Sequence, residues 1–67
     1  MLNKALLKSK MALYSDTSKS LSEKMGLTES AISNRINGKT HFSAKEMNFL
    51  KNLYNISNDE FVEIFFN

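Results

Sequence analysis

The sequence predicts an all-α protein, a compact five-helix bundle in a single domain that spans residues 1–67. Apolar residues recur at helical spacing, and no segment shows the alternation typical of a half-buried strand. Proline is absent, and the two glycines, Gly26 and Gly38, lie where helices are expected to end. Serine and threonine residues precede several of the expected helices and can cap them.

Helix one is expected from about Lys4 to Tyr14, and Asp16 and Thr17 then break the pattern. Its apolar face is predicted to contain Leu2, Leu6, Leu7, Leu13 and Tyr14. Thr17 can cap helix two, which ends abruptly at Gly26 because glycine tolerates a positive φ. The inward residues of helix two are Leu21 and Met25, and Leu27 packs in the corner.

Helix three is expected from about Thr28, its cap, to Asn37, and it closes at Gly38. A looser segment, Lys39–Phe42, leads to Ser43-Ala-Lys-Glu46, a capping box that opens helix four. Helix four runs to about Tyr54, with Met47, Leu50 and Tyr54 inward and Phe49 and Leu53 beside them. A second capping box, Ser57-Asn-Asp-Glu60, opens helix five, which runs through Phe66 and adds Phe61, Ile64 and Phe65 to the core.

Composition excludes several classes of protein. The chain has no cysteine, so it forms neither disulfides nor thiolate metal sites, and no apolar run is long enough to cross a membrane. The N-terminus lacks a secretory signal, and we expect a cytoplasmic protein without a membrane partner. His41 is the only histidine, and no nucleophile–base set accompanies it, so we expect no enzyme activity, metal, cofactor or small-molecule substrate.

Charge is divided unevenly along the chain. Residues 1–45 hold eight Lys or Arg and three Asp or Glu, a net charge of +5, whereas residues 46–67 hold one Lys and four acids, a net charge of −3. This asymmetry suits a protein that meets a polyanion with one end, although a chance distribution of few charges gives the same pattern.

Helix three separates two kinds of side chain. One arc is formed by Ala31, Ile32, Arg35 and Ile36, and the other by Glu29, Ser30, Ser33, Asn34 and Asn37. Asparagine can make a paired contact with adenine, and glutamate can accept from the amino group of cytosine. The same polar arc is also what an ordinary solvated helix face looks like. Arg35 lies at the edge of the inward arc, where it can meet phosphate or pair with an acid.

The chain resembles the lambda-repressor-like helix-turn-helix family, which includes Cro and XRE-type repressors. The resemblance is carried by Leu21, Met25-Gly26, Leu27-Thr28, Ile32 and Asn37-Gly38-Lys39-Thr40, and the later segments look like small Cro- or repressor-type regulators of phages from Gram-positive bacteria. It implies a sequence-specific transcription regulator that acts in the bacterial host cell as a homodimer on double-stranded operator DNA. The chain departs from the family pattern at two places. Many family members have an apolar residue at the position of Arg35 and a glutamate at that of Ile36, and an amide is more usual than an acid at the position of Glu29.

The resemblance also implies roles for individual residues. The base readers would be Glu29, Ser30 and Asn34, with Ser33 as a neighbour. The phosphate contacts would come from the starts of helices two and three and from the following loop: Ser18, Thr28, Asn37, Lys39 and Thr40, with Arg35 as a further candidate.

Helix five carries a second apolar strip, Val62 and Phe66, about 100° around from its core face. This strip can be an oligomer or partner surface, or Phe66 can fold back over its own core. A rival function follows from the strip, namely an antirepressor or corepressor that binds a second phage repressor and has weak or no affinity for DNA alone. An antitoxin component is a third context.

Overall fold

Five helices form the protein in a computed structural model that describes residues 1–67, and there is no strand. Their bounds are α1 Lys4–Leu13, α2 Ser18–Met25, α3 Glu29–Ile36, α4 Ala44–Leu53 and α5 Asn58–Phe65. The predicted all-α class is confirmed, and the helices form a compact globule with a Cα radius of gyration of 10.6 Å. None of the five helices combines the length and apolarity that a membrane span requires.

Helix starts are fixed by local side-chain caps. The hydroxyls of Thr17, Thr28, Ser43 and Ser57 each accept a hydrogen bond from the amide three residues later. Both capping boxes expected from the sequence are confirmed, because Glu46 and Glu60 accept from the amides of Ser43 and Ser57. A cap of this kind stabilises a helix by about 0.5–2 kcal/mol.

Four of the five helices end in the same backbone motif. The residues Ser15, Gly26, Gly38 and Asn55 have φ values of 59°, 69°, 82° and 50°, in the left-handed region. In each case the following amide donates to the carbonyl five residues earlier, at 2.8–2.9 Å. This geometry is the Schellman motif, and only its two glycine examples were expected from the sequence.

All five helices contribute to the core. Its buried apolar residues are Leu7, Met11, Leu21, Ile32, Ile36, Phe42, Leu50, Tyr54, Ile56, Ile64 and Phe65. The most extensive helix pair is α2 against α3, and α1 contacts α5. The inward arc of α3 is therefore held on the body of the protein by Ile32 and Ile36.

The apolar face predicted for α1 is wrong at Leu13, which is 73% exposed. Leu7 and Met11 define the inward face instead, and Leu13 lies about 200° around the helix from Met11. Tyr14 is 43% exposed, and its ring packs against Tyr54 with centroids 5.2 Å apart.

Four buried residues lie outside the helices, namely Asp16, Phe42, Tyr54 and Ile56. Phe42 belongs to the segment that was expected to be loose, yet its ring packs edge-on against Phe65 at 6.0 Å. Ile56 is buried in the connection between α4 and α5. Phe49, predicted beside the inward face of α4, is 39% exposed. The buried ring of Phe42 therefore anchors the segment between α3 and α4 to the core.

A buried carboxylate joins the first turn of α2 to α4. Asp16 accepts from the hydroxyl of Tyr54 at 2.7 Å, from Ser20 at 2.7 Å and from the ammonium of Lys24 at 2.8 Å. Burial alone would raise the pKa of Asp16, but these hydrogen bonds and the charge of Lys24 together hold that pKa below its ordinary value. No local sequence pattern predicts this network, because Asp16 was expected only to end helix one.

Candidate nucleic-acid interface

The outer face of α3 is open to solvent. Glu29, Ser30, Asn34 and Asn37 are exposed, and Ser33 is half-buried. On the inner side, Ile32 and Ile36 are buried while Ala31 and Arg35 are half-buried. The division into two arcs that the helical spacing predicts is therefore the division observed.

Most of the side chains predicted to contact bases make no hydrogen bond within the protein. The side chains of Glu29, Ser30 and Asn34 make no hydrogen bond within the chain. Ser33 accepts from the amide nitrogen of Asn37 at 3.3 Å, which leaves its own hydroxyl hydrogen free to donate. An amide, a carboxylate and two hydroxyls can thus bind an external surface without first breaking an internal contact.

Both ends of α3 are fixed by short-range interactions. At its start, the hydroxyl of Thr28 accepts from the amide of Ala31 at 3.1 Å, and the left-handed Gly26 sets the corner from α2. At its end, the amide of Lys39 donates to the carbonyl of Asn34 at 2.9 Å across the left-handed Gly38. These hydrogen bonds fix the residues at which α3 begins and ends.

The loop after α3 meets the start of α1. The ammonium of Lys4 donates to the side-chain oxygen of Asn37 at 2.6 Å, and Lys39 and Thr40 are exposed beside it. The structure therefore gives a second positive charge, Lys4, to the loop that was expected to contact phosphate. Sequence reasoning missed Lys4 because 33 positions separate it from Asn37, and no local pattern links them.

Arg35 pairs with an acid, one of the two alternatives that the sequence left open. Its Nε donates to Glu46 Oε1 at 3.1 Å, and its Nη1 donates to the carbonyl of Ala31 at 3.2 Å. The backbone amide of Ser43 and the guanidinium of Arg35 hold the pKa of Glu46 below its ordinary value. A phosphate contact by Arg35 remains a prediction, and its other guanidinium nitrogen carries the free donors for it.

The remaining phosphate candidates occupy separate places. Arg35, Asn37 and Thr40 line one cleft together with Lys4 and His41. Ser18 lies apart from this cleft, as the first residue of α2, and its half-buried hydroxyl has no partner within the chain. Thr28 is exposed at the start of α3, where its hydroxyl already serves as the cap. The candidates therefore lie at three places, the start of α2, the start of α3 and the loop after α3, and do not form one cluster.

The apolar strip of α5 is largely uncovered. Val62 is 56% exposed and Phe66 is 60% exposed, although the ring of Phe66 contacts that of Phe61 at 6.0 Å. Folding back onto the core therefore covers less than half of Phe66.

Comparisons with models of known protein families, with curated proteins and with solved structures find no significant match.

Proposed function

We propose that this protein is a sequence-specific, helix-turn-helix transcription regulator that binds double-stranded operator DNA through α3, as small phage Cro and repressor proteins do. The observation that carries the proposal is the outer face of α3, where the exposed side chains of Glu29, Ser30 and Asn34 have no hydrogen-bond partner in the chain. The B-DNA major groove admits one α-helix, and its base edges present donors and acceptors to such groups. The α2–α3 pair supplies the bihelical unit that such a docking mode needs.

In this proposal the polar residues of α3 have distinct roles. Asn34 reads adenine through a paired contact, Glu29 accepts from cytosine, and Ser30 and Ser33 contact neighbouring base edges. Glu29 adds selectivity rather than affinity, because phosphates repel a carboxylate. Its charge is nevertheless favourable at the N-terminus of α3, next to the positive end of the helix dipole.

Phosphate binding comes from the starts of α2 and α3 and from the loop after α3, and it supplies most of the affinity. Lys39 is exposed and has no ion pair within the chain, so its full charge can displace counterions. The Ser18 and Thr28 hydroxyls, with Asn37 and Thr40 in the loop, add hydrogen bonds that fix the register on the duplex. Binding as a homodimer in the bacterial cytoplasm would place two such helices on related half-sites.

The decisive experiment separates base reading from phosphate binding. An operator is first selected from random double-stranded DNA with the wild-type protein, and affinities are then measured for every single-base variant. Asn34→Ala should lose about 1–3 kcal/mol of discrimination at one base position and leave the other positions unchanged. The matched control is Asn48→Ala, which removes an exposed asparagine on α4.

The phosphate role has its own measurement. Lys39→Ala should weaken binding to all sequences alike and lower the slope of log affinity against log salt by about 1. Lys45→Ala removes an exposed lysine from the start of α4 and should leave that slope nearly unchanged.

The base-reading role has a clear contrary outcome. If Asn34→Ala weakens binding to every DNA sequence equally, Asn34 is not a base reader.

A second candidate function is supported by the exposed strip of α5. An antirepressor or corepressor would use Val62 and Phe66 to bind another regulator, since large apolar side chains left in solvent often mark interfaces. This alternative replaces the first if the pure protein has no DNA affinity at low salt and co-purifies with a second repressor.

A further inference from the structure

Three side chains from α1 and the C-terminal end of α3 form a continuous chain of hydrogen bonds. The ammonium of Lys4, in the first turn of α1, donates to Asn37 Oδ1 at 2.6 Å. Asn37 Nδ2 in turn donates to the hydroxyl oxygen of Ser33 at 3.3 Å. This hydrogen-bond chain begins at a lysine that the sequence did not assign to the site, and it ends at one of the residues predicted to contact bases.

Both hydrogen bonds point the same way, from Lys4 toward Ser33. An ammonium donates and never accepts, so Lys4 holds the oxygen of the Asn37 amide and turns its nitrogen toward Ser33. Because the Ser33 oxygen accepts from Asn37, the hydroxyl hydrogen of Ser33 is left for an acceptor outside the protein. Hydrogen bonds in such a chain polarise one another, and the positive charge of Lys4 therefore strengthens Ser33 as a donor.

Free donors remain at the Lys4 end of the hydrogen-bond chain. The ammonium has three hydrogens, of which Asn37 takes one, and Asn37 Nδ2 has two, of which Ser33 takes one. Lys4 forms no ion pair within the protein, and no Asp or Glu lines the cleft that Lys4 and Asn37 share. Both residues can therefore bind a DNA phosphate without breaking their contact with each other or with Ser33.

We propose that this hydrogen-bond chain couples phosphate binding to base reading: Lys4 binds a phosphate and, through Asn37, orients Ser33 to donate to an acceptor on a base edge. In the major groove such acceptors are N7 of the purines, O6 of guanine and O4 of thymine. The inference rests on the proposed function and adds to it Lys4, a positioning residue whose loss changes base preference as well as affinity. Lys39 lies outside the hydrogen-bond chain and contributes only its charge.

Replacing Lys4 with methionine tests the coupling on the selected operator and its single-base variants. Methionine keeps the unbranched apolar stem and removes the charge and the donors. Lys4→Met should lower the slope of log affinity against log salt by about 1. It should also lower the base preference at the position that Ser33 contacts by about twofold or more, because the Asn37 amide is no longer held with its nitrogen toward Ser33. Lys4→Arg keeps the charge and the donors and should retain most of both properties.

Lys39→Ala is the matched control, because it removes an exposed lysine charge from the neighbouring loop and leaves the hydrogen-bond chain intact. It should weaken binding to all sequences and leave base preference unchanged at every position. Ser33→Ala identifies the base position concerned, where it should lower the preference by about threefold or more. In the Ser33→Ala background, Lys4→Met should still lower the salt slope but cause no further loss of preference there, which a double-mutant cycle measures.

Two measurements without DNA separate the coupling from a general loss of structure. Lys4 is exposed, so Lys4→Met should leave the thermal midpoint nearly unchanged. In NMR spectra of isotope-labelled protein, the side-chain amide resonances of Asn37 should shift in Lys4→Met and in Ser33→Ala, because each variant removes one partner of that amide. The same resonances should shift much less in Lys39→Ala.

Two outcomes overturn the inference. The first is a Lys4→Met protein that binds every DNA sequence more weakly by the same factor, as Lys39→Ala is expected to do, because Lys4 is then only a phosphate contact. The second is an Asn37 side-chain amide whose resonances do not respond to Lys4→Met. Failure of the proposed function is distinguishable from both, since a wild-type protein without base preference refutes operator binding itself, whereas intact wild-type preference that Lys4→Met leaves unchanged refutes the coupling alone.

Discussion

Replacing Tyr54 with phenylalanine removes one atom from the most buried polar contact in the protein. The hydroxyl of Tyr54 donates to Asp16 at 2.7 Å, and Tyr54 is 1% exposed. The phenyl ring that remains can keep its place in the core and its contact with Tyr14. The substitution therefore isolates the hydrogen bond from the packing.

The expected loss follows from the partners that Asp16 keeps. A hydrogen bond to a charged group contributes about 1.5–3 kcal/mol to stability. The oxygen that loses Tyr54 still accepts from Lys24 at 3.1 Å, so it is not left unpaired. We therefore expect Tyr54→Phe to lower the free energy of unfolding by about 2 kcal/mol. In a domain of this size that loss lowers the thermal midpoint by about 8–16 °C.

Thermal and urea denaturation followed by circular dichroism measure this loss. Tyr14→Phe is the matched control, because the hydroxyl of Tyr14 has no partner and its side chain is 43% exposed. The control should change stability by less than about 0.5 kcal/mol. If Tyr54→Phe costs no more than Tyr14→Phe, the Asp16–Tyr54 contact does not stabilise the fold.

The pH dependence gives a second check on the same contact. The pKa of Asp16 lies below its ordinary value of 3.8 in the folded protein, so the stability from its ionised form is complete above about pH 4. That stability is lost as the pH falls from about 4 through the folded-state pKa. The difference between wild type and Tyr54→Phe should narrow over the same range. A difference that stays constant would refute the charge-assisted account.

Three further changes test the helix ends and the Arg35 ion pair, each by thermal denaturation. Gly26→Ala should cost about 1–2 kcal/mol, because a Cβ there meets no atom within 4 Å and the cost is the left-handed backbone alone (φ +69°). Ser15→Gly should stabilise the protein by about 0.5–1 kcal/mol, because serine holds the same conformation at φ 59°; a loss would contradict this reasoning. Glu46→Gln should cost up to about 1 kcal/mol at neutral pH, since the ion pair with Arg35 is partly exposed. Its effect should fade below about pH 4.5, because the pKa of Glu46 is lowered in the fold.

Local chemistry made most of the fold predictable. The capping boxes at Ser43 and Ser57 and the turns at Gly26 and Gly38 depend on residues within one helical turn, so their signals are readable from spacing. Long-range partners were not readable in this way. The Asp16–Tyr54 contact joins residues 38 positions apart. Each partner alone resembles an ordinary polar or aromatic residue.

The candidate site shows the same division. The two arcs of α3 follow from its periodicity alone, and the observed exposure agrees with them. The contact between Lys4 and Asn37 depends on how α1 packs against the rest of the chain, which spacing does not encode. Leu13 was misplaced for a related reason, since a helix with apolar residues on several sides does not by itself reveal which side faces the core.

We expect Tyr54→Phe to lower stability alone and Asn34→Ala to lower base discrimination alone. Measuring both properties in both variants therefore tests the Asp16–Tyr54 contact and the base-reading proposal together. A 67-residue protein has a free energy of unfolding of about 3–10 kcal/mol. Losing about 2 kcal/mol leaves more than about four-fifths of the Tyr54→Phe protein folded at 25 °C, so its operator affinity should stay near the wild-type value. Asn34→Ala should show the reverse, an unchanged thermal midpoint with lost discrimination at one base, because its side chain has no partner in the fold. If Asn34→Ala lowers the thermal midpoint as much as Tyr54→Phe does, the outer face of α3 has a structural role and the base-reading argument fails.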